Sequence, residues 1–339
     1  MMKAAFGSPI ITNTRTKVWG ALFANQPTVY ICVVLITALA SYAYWLRTQS
    51  IFSCQADGYN ADRYLAYCHG ASYAEYEHGA FYFDLEPSVA NFARNADVLF
   101  LGNSRLQVAF STAATAEWFS AASTRYYLLG FSYYENVIFA EKLLRKLRPR
   151  AKVYVINVDD FFEQTETEPM KAILRDPEAA RNRYEKKRLW QQLHEPICKT
   201  FTMLCGTKFV IFRSRETGAF YTEGAFQHTI VPVSYDQVIN RDEVSRNTAA
   251  AMDFLSHFTQ GKCVILTNVP FVGTKIGNVN AIGDGLGMNL VTPGVPEGLQ
   301  TFDGYHLDKS SAQRWSLVFF QAAGSRIRSC LEEQGTAHS

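Results

Sequence analysis

The sequence predicts an α/β protein whose doubly wound, mostly parallel sheet is flanked by helices and preceded by one N-terminal transmembrane helix. Two observations predict the sheet. From residue 97 onward, short apolar runs alternate with stretches of helical periodicity, and several runs are rich in β-branched and aromatic residues. Such alternation is typical of parallel strands joined by helical crossovers. A third observation predicts the transmembrane helix, because residues 28–45 contain no charged side chain and are long enough to span a bilayer.

The predicted elements follow one another in a simple order between residues 97 and 330. Strands are predicted at residues 98–102, 126–130, 152–158 and 263–267, and helices at residues 111–122, 133–147, 242–258 and 310–328. Residues 48–96 are rich in tyrosine without a clear period and predict a membrane-proximal connector. Residues 160–241 break the alternation and predict an insertion that builds a lid or a partner surface. The glycine-rich residues 272–298 predict a mobile loop rather than a phosphate-binding turn.

The charges on the two sides of the apolar segment predict its orientation. Three basic residues, Lys3, Arg15 and Lys17, precede the segment. On its other side the chain soon reaches Asp57 and Asp62. The positive-inside rule therefore predicts that the N-terminus is cytoplasmic and that the folded domain lies outside.

This orientation divides the chain into a cytoplasmic segment, residues 1–27, an anchor, residues 28–47, and an exported remainder. A cleaved signal peptide is the alternative, and the long polar segment before the apolar one favours the anchor. The sequence contains no Asn-x-Ser/Thr sequon, which favours a bacterial periplasm over a secretory lumen. We therefore expect a single-pass inner-membrane protein with a periplasmic domain.

The cysteines predict disulfides in the exported part. One of the seven, Cys32, lies in the apolar segment, and the other six lie beyond it. An even number of exported cysteines is typical of disulfides, although buried free thiols are the alternative. Sequence proximity favours the pairs Cys54 with Cys68 and Cys198 with Cys205, which leaves Cys263 with Cys330, although six cysteines allow many other connectivities.

Composition argues against two classes of function. The formal net charge is only +2, and no nucleic-acid motif with a basic face is present, so we do not expect nucleic-acid binding. The chain has no Cys-x-x-Cys pair, and its seven histidines are scattered without ligand spacing. We therefore expect no metal and no cofactor.

Two short motifs predict chemistry. The first is Gly102-Asn103-Ser104 at the end of the first predicted strand, where ligands of doubly wound sheets gather. The second is Asp303-Gly304-Tyr305-His306, where a carboxylate can hydrogen-bond the imidazole and fix its tautomer. Together they predict a catalytic triad with Ser104 as nucleophile, His306 as base and Asp303 as the residue that orients the base.

At these two motifs the chain resembles the SGNH, or GDSL-type, hydrolase family. Gly102-Asn103-Ser104 stands where that family has Gly-Asp-Ser, and residues 303–307 are similar to its C-terminal Asp-x-x-His-Leu block. The resemblance extends from residue 97 to the last helix and is interrupted by the insertion. It implies a flavodoxin-like three-layer fold for residues 97–330. It also implies an oxyanion hole that includes the backbone N–H groups of Ser104 and Gly130.

One block of the family pattern is different in this chain. The family has Gly-x-Asn-Asp after the third strand, whereas this sequence reads Asn157-Val158-Asp159-Asp160. Asp159 therefore occupies the asparagine slot, and an ionised carboxylate cannot donate a hydrogen bond to an oxyanion. Asn157 and Asn268 are the alternative donors by their chemistry.

Membrane-anchored members of the family with a Gly-x-Ser-Arg block are similar to this chain. They include accessory proteins of alginate-type O-acetylation and of teichoic-acid D-alanylation. The resemblance implies acyl transfer through Ser104 to a cell-surface polysaccharide or lipid-linked acceptor, beside a multispanning membrane O-acyltransferase. A carbohydrate or lipid esterase is the first alternative.

A non-catalytic scaffold in polysaccharide assembly is the second alternative. It is favoured by Asp159, because a carboxylate stands where the family has a hydrogen-bond donor. A carbohydrate-stacking surface in the aromatic part of the insertion would also favour it. The residues of that surface would be Phe212, Phe220, Tyr221 and Phe226. We expect these aromatic side chains to form an ordinary core instead.

Overall fold

Strands and helices alternate along most of the chain. The computed structural model describes residues 26–69, 75–224, 229–288, 290–293 and 296–336. The strands are β1 (Arg63–Cys68), β2 (Val98–Asn103), β3 (Tyr126–Phe131), β4 (Val153–Asn157), β5 (Val210–Ser214), β6 (Phe220–Glu223), β7 (Val231–Pro232), β8 (Cys263–Thr267), β9 (Leu290–Val291) and β10 (Gln300–Thr301). The helices are α1 (Gln26–Gln49), α2 (Tyr76–Tyr82), α3 (Val89–Arg94), α4 (Ser104–Phe110), α5 (Ala113–Ala121), α6 (Val137–Leu147), α7 (Glu168–Arg175), α8 (Pro177–Thr200), α9 (Arg241–Phe258), α10 (Ile276–Gly285) and α11 (Lys309–Thr336).

A five-stranded parallel sheet forms the centre of the domain, in the order β3-β2-β4-β8-β9. If its strands are counted along the chain, this is the order 2-1-3-4-5 of one class of doubly wound sheet. The α/β class and the parallel sheet with flanking helices that the sequence predicts are confirmed. In such sheets the crevice at the carboxyl ends of the strands, where the order reverses, is the usual place for a ligand. Strand β2 ends in that crevice, directly before Ser104.

The interior strand β2 is buried on both faces, which explains its continuous apolar sequence. Leu99 and Leu101 belong to a core that they share with helices α6 and α9. Val98 and Phe100 belong to the core on the opposite face, with helices α4, α5 and α11. Alternate residues of β2 therefore pack against the helical layers on the two opposite faces of the sheet.

A second sheet joins the predicted connector to the predicted insertion. Strand β1 of residues 48–96 pairs antiparallel with β5, and β5 pairs with β6 of the insertion. The turn between β5 and β6 reaches the central sheet, because Leu128 N donates a hydrogen bond of 2.8 Å to Thr217 O. Phe212 and Phe220 are buried in the core, and Tyr221 packs partly buried against it. Phe226 lies outside the described residues.

Several predicted boundaries shift, and one prediction is wrong. Helix α6 begins at Val137 instead of residue 133, because Asn136 caps it by accepting a hydrogen bond from Ile138 N. The predicted loop at residues 272–298 contains helix α10 and strand β9. Gly277 of that helix packs on neighbouring backbone, since a Cβ there would lie 2.3 Å from Gln237 O. At least one of the glycines that suggested a loop therefore lies in a helix, where the close approach of neighbouring backbone leaves no room for a side chain.

Helix α1 is long and apolar enough to cross a membrane, and none of it is buried inside the protein. The charged residues before it, Lys3, Arg15 and Lys17, lie outside the described residues. Its C-terminal end contacts the folded domain. Arg47 Nη1 donates a hydrogen bond of 2.5 Å to Met203 O, and Lys208 Nζ donates one of 2.7 Å to Thr48 O.

All three predicted disulfides are present. Their Cα–Cα distances are 6.1 Å for Cys54–Cys68, 5.6 Å for Cys198–Cys205 and 5.9 Å for Cys263–Cys330. The third joins strand β8 to helix α11, so it ties the last helix to the central sheet. Cys32 in α1 is a free thiol.

We expect the buried imidazole of His194 to make stability fall as the pH is lowered. Its ring has no solvent exposure, and burial lowers the pKa of His194 to about 4. In the unfolded chain its pKa is about 6.5, so between these values the unfolded state binds the extra proton. The free energy of unfolding should therefore drop by about 1.4 kcal/mol per pH unit from this group, or about 3 kcal/mol in all.

The measurement is the unfolding of the full chain in detergent at pH 7 and pH 4.5, compared with the His194→Gln variant. The variant should show a shallower pH dependence, because carboxylate titrations are common to both proteins. Equal pH dependence of the two proteins would contradict this expectation.

Candidate active site

The three predicted triad residues meet at the carboxyl end of β2. His306 Nε2 lies 2.8 Å from Ser104 Oγ, and His306 Nδ1 lies 2.7 Å from Asp303 Oδ2. Both distances are within hydrogen-bond range. A serine, an imidazole and a carboxylate are thus hydrogen-bonded in series, which is the arrangement that lets an imidazole accept the serine proton.

Ser104 lies at the junction of β2 and α4. Asn103 caps the helix, because its Oδ1 accepts a hydrogen bond of 2.9 Å from Arg105 N. As the first residue of α4, Ser104 has no intrahelical partner for its backbone N–H. This N–H group can therefore serve as an oxyanion donor, as the resemblance implies.

Asp303 holds His306 through both of its oxygens. Its Oδ1 accepts hydrogen bonds from the backbone N–H groups of Tyr305, at 2.9 Å, and of His306, at 2.8 Å, while Oδ2 accepts from the ring. Burial alone would raise the pKa of Asp303, but these hydrogen bonds and the His306 charge lower it below its ordinary value. The carboxylate therefore stays ionised beside the imidazole. The Phe302 ring stacks on His306 with a centroid distance of 5.6 Å.

Asp159 accepts hydrogen bonds from the residue before Ser104 and pairs with the residue after it. Asn103 Nδ2 donates to both of its carboxylate oxygens, at 3.1 and 3.2 Å. Arg105 Nη1 forms an ion pair with it at 3.0 Å. Burial raises the pKa of Asp159 to about 6, although the Arg105 guanidinium opposes the shift. Asp159 thus contacts both sequence neighbours of Ser104.

Arg105 is a site residue that sequence reasoning did not single out. It is buried, pairs with Asp159 and Asp160, and lies 4.0 Å from the ring centre of Phe271. The signal in the sequence was the combination of Arg105 beside the serine with two adjacent aspartates after β4. Only the fold places these charges together.

The backbone N–H of Gly130 donates a hydrogen bond of 3.0 Å to Gln107 Oε1. An oxyanion role for Gly130 would therefore require Gln107 to release this N–H. The glycine itself has a packing role, because a Cβ there would lie 2.6 Å from Asn103 O.

The two asparagines considered as further donors are both buried. Asn157 Oδ1 accepts a hydrogen bond of 2.9 Å from Val269 N. Asn268 lines a small cavity beside Asp159 and Asp160. Within the part of the chain that the structure describes, neither amide hydrogen-bonds to Ser104 or His306. A third oxyanion donor therefore stays a prediction.

Two exposed tyrosines stand near the triad. Tyr305 lies between Asp303 and His306 in sequence, and its ring centre is 6.0 Å from that of Tyr134. Tyr133 and Tyr134 both have a positive φ, 61° and 54°, in the turn after β3. Non-glycine residues adopt this conformation infrequently, so the turn that carries these rings is unusual. The sequence analysis did not name these tyrosines as site residues. The feature that could have indicated them is the pair Tyr133-Tyr134 shortly after a predicted strand.

One histidine and two cysteines lie close enough together to suggest a metal site. The ligand atoms of His194, Cys198 and Cys205 lie within 4.8 Å of one another. The two cysteines form a disulfide, so their sulfurs are not thiolate ligands. His194 alone would remain for a metal.

The fold and the site define a class of protein: an α/β protein with a parallel sheet, in which a serine that follows an interior strand is hydrogen-bonded in series to a histidine and an aspartate from the segment before the last helix. Comparisons of this chain with protein families, with curated proteins and with solved structures find no match.

Proposed function

We propose that this protein is a membrane-anchored, periplasmic serine O-acyltransferase of the SGNH type that acts on a cell-surface polysaccharide or a lipid-linked acceptor. The observation that carries the proposal is the series of hydrogen bonds from Ser104 through His306 to Asp303. The serine lies at the carboxyl end of the interior strand β2, where ligands of such sheets bind. The motifs at Ser104 and at Asp303 support the SGNH assignment.

The reaction begins when Ser104 Oγ attacks the carbonyl carbon of an ester donor and its proton passes to His306 Nε2. The donor's acyl C–O bond breaks, and the leaving oxygen takes that proton. An acceptor hydroxyl then gives its proton to His306 and attacks the acyl-serine, and the Ser104 oxygen leaves and recovers the proton. Asp303 stabilises the imidazolium that forms in each half.

Helix α1 supports a reaction at a membrane surface. A helix that can cross the bilayer would hold Ser104 near a multispanning membrane O-acyltransferase that supplies the acyl group. Tethering raises the effective concentration of one component for the other without new contacts. The proposed orientation places the N-terminus in the cytoplasm and the domain in the periplasm.

An esterase is the second candidate, and the exposure of the triad favours it. The side chains of His306 and Asp303 are 22 % and 25 % exposed, so water can reach the base. Water in place of the acceptor hydroxyl would release the acyl group as an acid. The two candidates share Ser104 acylation and differ only in what resolves the acyl-enzyme.

The test of a live nucleophile is labelling by a fluorophosphonate probe. We expect the full-length protein in detergent to be labelled once per chain and the Ser104→Ala variant to remain unlabelled. Ser310→Ala is the matched control, because Ser310 is exposed on α11 and should not affect labelling. If the folded wild-type protein is not labelled, the catalytic proposal fails and a scaffold in polysaccharide assembly takes its place.

Transfer and hydrolysis are distinguished by measuring how the acyl-enzyme divides between an acceptor hydroxyl and water. With a chromogenic acetyl ester as donor, an oligosaccharide acceptor should gain acetyl groups in a reaction that depends on Ser104. Release of acetate alone, at any acceptor concentration, would identify an esterase.

A further inference from the structure

An exposed apolar surface adjoins the end of helix α1. Its members lie in the C-terminal half of helix α8 and in the residues that follow it, up to the 3-10 turn Thr202–Leu204. Their exposed fractions range from 41 % to 77 %: Leu189, Trp190, Leu193, Phe201 and Met203. We call these five residues the apolar shoulder. The hydrogen bond from Arg47 to Met203 O joins it to α1.

The position of the apolar shoulder matches the border of a bilayer. Arg47 is the last charged residue of α1, and Trp45 precedes it, stacked on Tyr42 with ring centres 5.9 Å apart. Aromatic residues of this kind are enriched where a transmembrane helix leaves the hydrocarbon. Met203 lies beside Arg47, so the apolar shoulder lies at the depth of the lipid headgroups if α1 spans the membrane.

A cavity of about 650 Å³ opens between the end of α1 and helix α8. Trp45, Leu46 and Trp190 form an apolar side of its lining. The charged side chains that line it are Arg183, Lys186, Lys187 and Glu75. Three cations and one carboxylate leave a surplus of two positive charges. The cavity therefore combines apolar side chains that include two from α1 with basic side chains from α8.

We propose that this cavity binds the phosphate headgroup of an anionic membrane lipid, with the acyl chains lying along α1 and the apolar shoulder. The inference rests on the membrane placement proposed for α1 and is independent of Ser104 chemistry. A volume of this size falls within the range of pockets that hold small molecules. Arginine and lysine are the side chains that bind phosphate in proteins.

The environment of Lys187 fits an anion in the cavity. Its ammonium lies 5.4 Å from the ring centre of Tyr184, and burial lowers the pKa of Lys187 to about 8. Glu75 opposes this shift and Arg183 adds to it. A phosphate beside Lys187 would favour the charged form of the lysine. Bound lipid would thereby stabilise a partly buried cation, and it would hold the domain at a fixed orientation on the bilayer.

The test measures how much lipid the full-length protein retains. The protein is released from a neutral detergent, and native mass spectrometry gives its mass with any bound lipid. The probes are a phosphatidylglycerol and a phosphatidylcholine with the same acyl chains. We expect the wild-type protein to retain phosphatidylglycerol at least tenfold better, and the Arg183→Gln/Lys187→Gln variant to lose that preference. Arg181→Gln is the matched control on the same helix, since Arg181 is exposed and pairs with Glu185.

Three results would overturn the proposal. The first is equal retention of the two lipids by the wild-type protein, and the second is an unchanged preference in the double variant. The third is displacement of phosphatidylglycerol by millimolar inorganic phosphate, because a small soluble anion would then be the occupant. If the double variant does not fold, Lys186→Gln replaces it, because Lys186 is exposed at the same cavity.

The outcome is separable from that of the proposed function. Fluorophosphonate labelling of Ser104 should be the same in the lipid-binding variants and in the wild-type protein. Loss of lipid preference with normal labelling, or the reverse, shows which of the two proposals fails.

Discussion

Replacing Asp303 with asparagine should slow the acylation of Ser104 by about 10³- to 10⁴-fold without unfolding the protein. This magnitude is the one that the same substitution has in other serine triads, about 10⁴-fold. The wild-type carboxylate accepts the proton on His306 Nδ1, which leaves Nε2 free to accept the proton of Ser104. An asparagine can donate to Nδ1 and so favour the other tautomer. The proton then resides on Nε2, and the imidazole can no longer act as a base toward the serine.

The measurement is the rate of fluorophosphonate labelling of the full-length variant, followed with time at constant pH. Asp308→Asn is the matched control in the same segment, because Asp308 caps α11 by accepting from Ser311 N at 2.7 Å, whereas the His306 ring is hydrogen-bonded to Asp303 and Ser104. We expect the control to be labelled at the wild-type rate. Wild-type labelling of Asp303→Asn would show that Asp303 does not orient the base.

The three hydrogen-bonded residues could be predicted because each of the two motifs that carry them has a local signal in the sequence. Asp303 and His306 are three residues apart in one turn, and Ser104 follows an apolar run that reads as a buried strand. The surroundings could not be predicted in the same way. The contacts of Asp159 with Asn103 and Arg105, and that of Gln107 with Gly130, join segments that are distant in sequence.

The sheets differ in the same respect. The central strands are buried on both faces, so each produces an apolar run that is visible in the sequence. Strand β1 pairs with β5, which lies in the insertion, far along the chain. No periodicity in residues 48–96 records that pairing, and the connector and the insertion were therefore predicted as separate pieces. Helix α10 was missed because glycine is a poor helix former in the absence of tertiary contacts.

The second large effect concerns a buried ion pair that joins the second sheet to the strand beside the site. Arg213 of β5 and Glu77 of α2 have no solvent exposure, and Arg213 Nη1 lies 2.9 Å from Glu77 Oε2. Arg213 Nη2 also donates to Leu128 O of β3 at 2.7 Å. The other Glu77 oxygen accepts from Ser132 N at 2.8 Å, just before the turn that carries Tyr134. The pair therefore supports both the sheet contact and the turn near the triad.

Replacing Arg213 with methionine should lower the free energy of unfolding by about 3–5 kcal/mol, because it leaves the Glu77 carboxylate buried without its cation. Arg125→Met is the matched control: Arg125 is mostly exposed and pairs with Asp97 at the surface, so its loss should cost about 1 kcal/mol or less. The measurement is denaturant unfolding of the full chain in detergent with the disulfides intact.

The double variant Glu77→Gln/Arg213→Met separates the charge from the packing. Glutamine is neutral and keeps an oxygen that can accept from Ser132, so the double variant should be more stable than Arg213→Met alone. Together with the two single variants, Glu77→Gln and Arg213→Met, the double variant completes a double-mutant cycle. The coupling energy from that cycle measures the penalty of the unpaired carboxylate. If the double variant is instead less stable than Arg213→Met, the loss comes from the packing of Arg213 against Phe131, whose ring centre is 4.7 Å from its guanidinium carbon, and not from an unpaired charge.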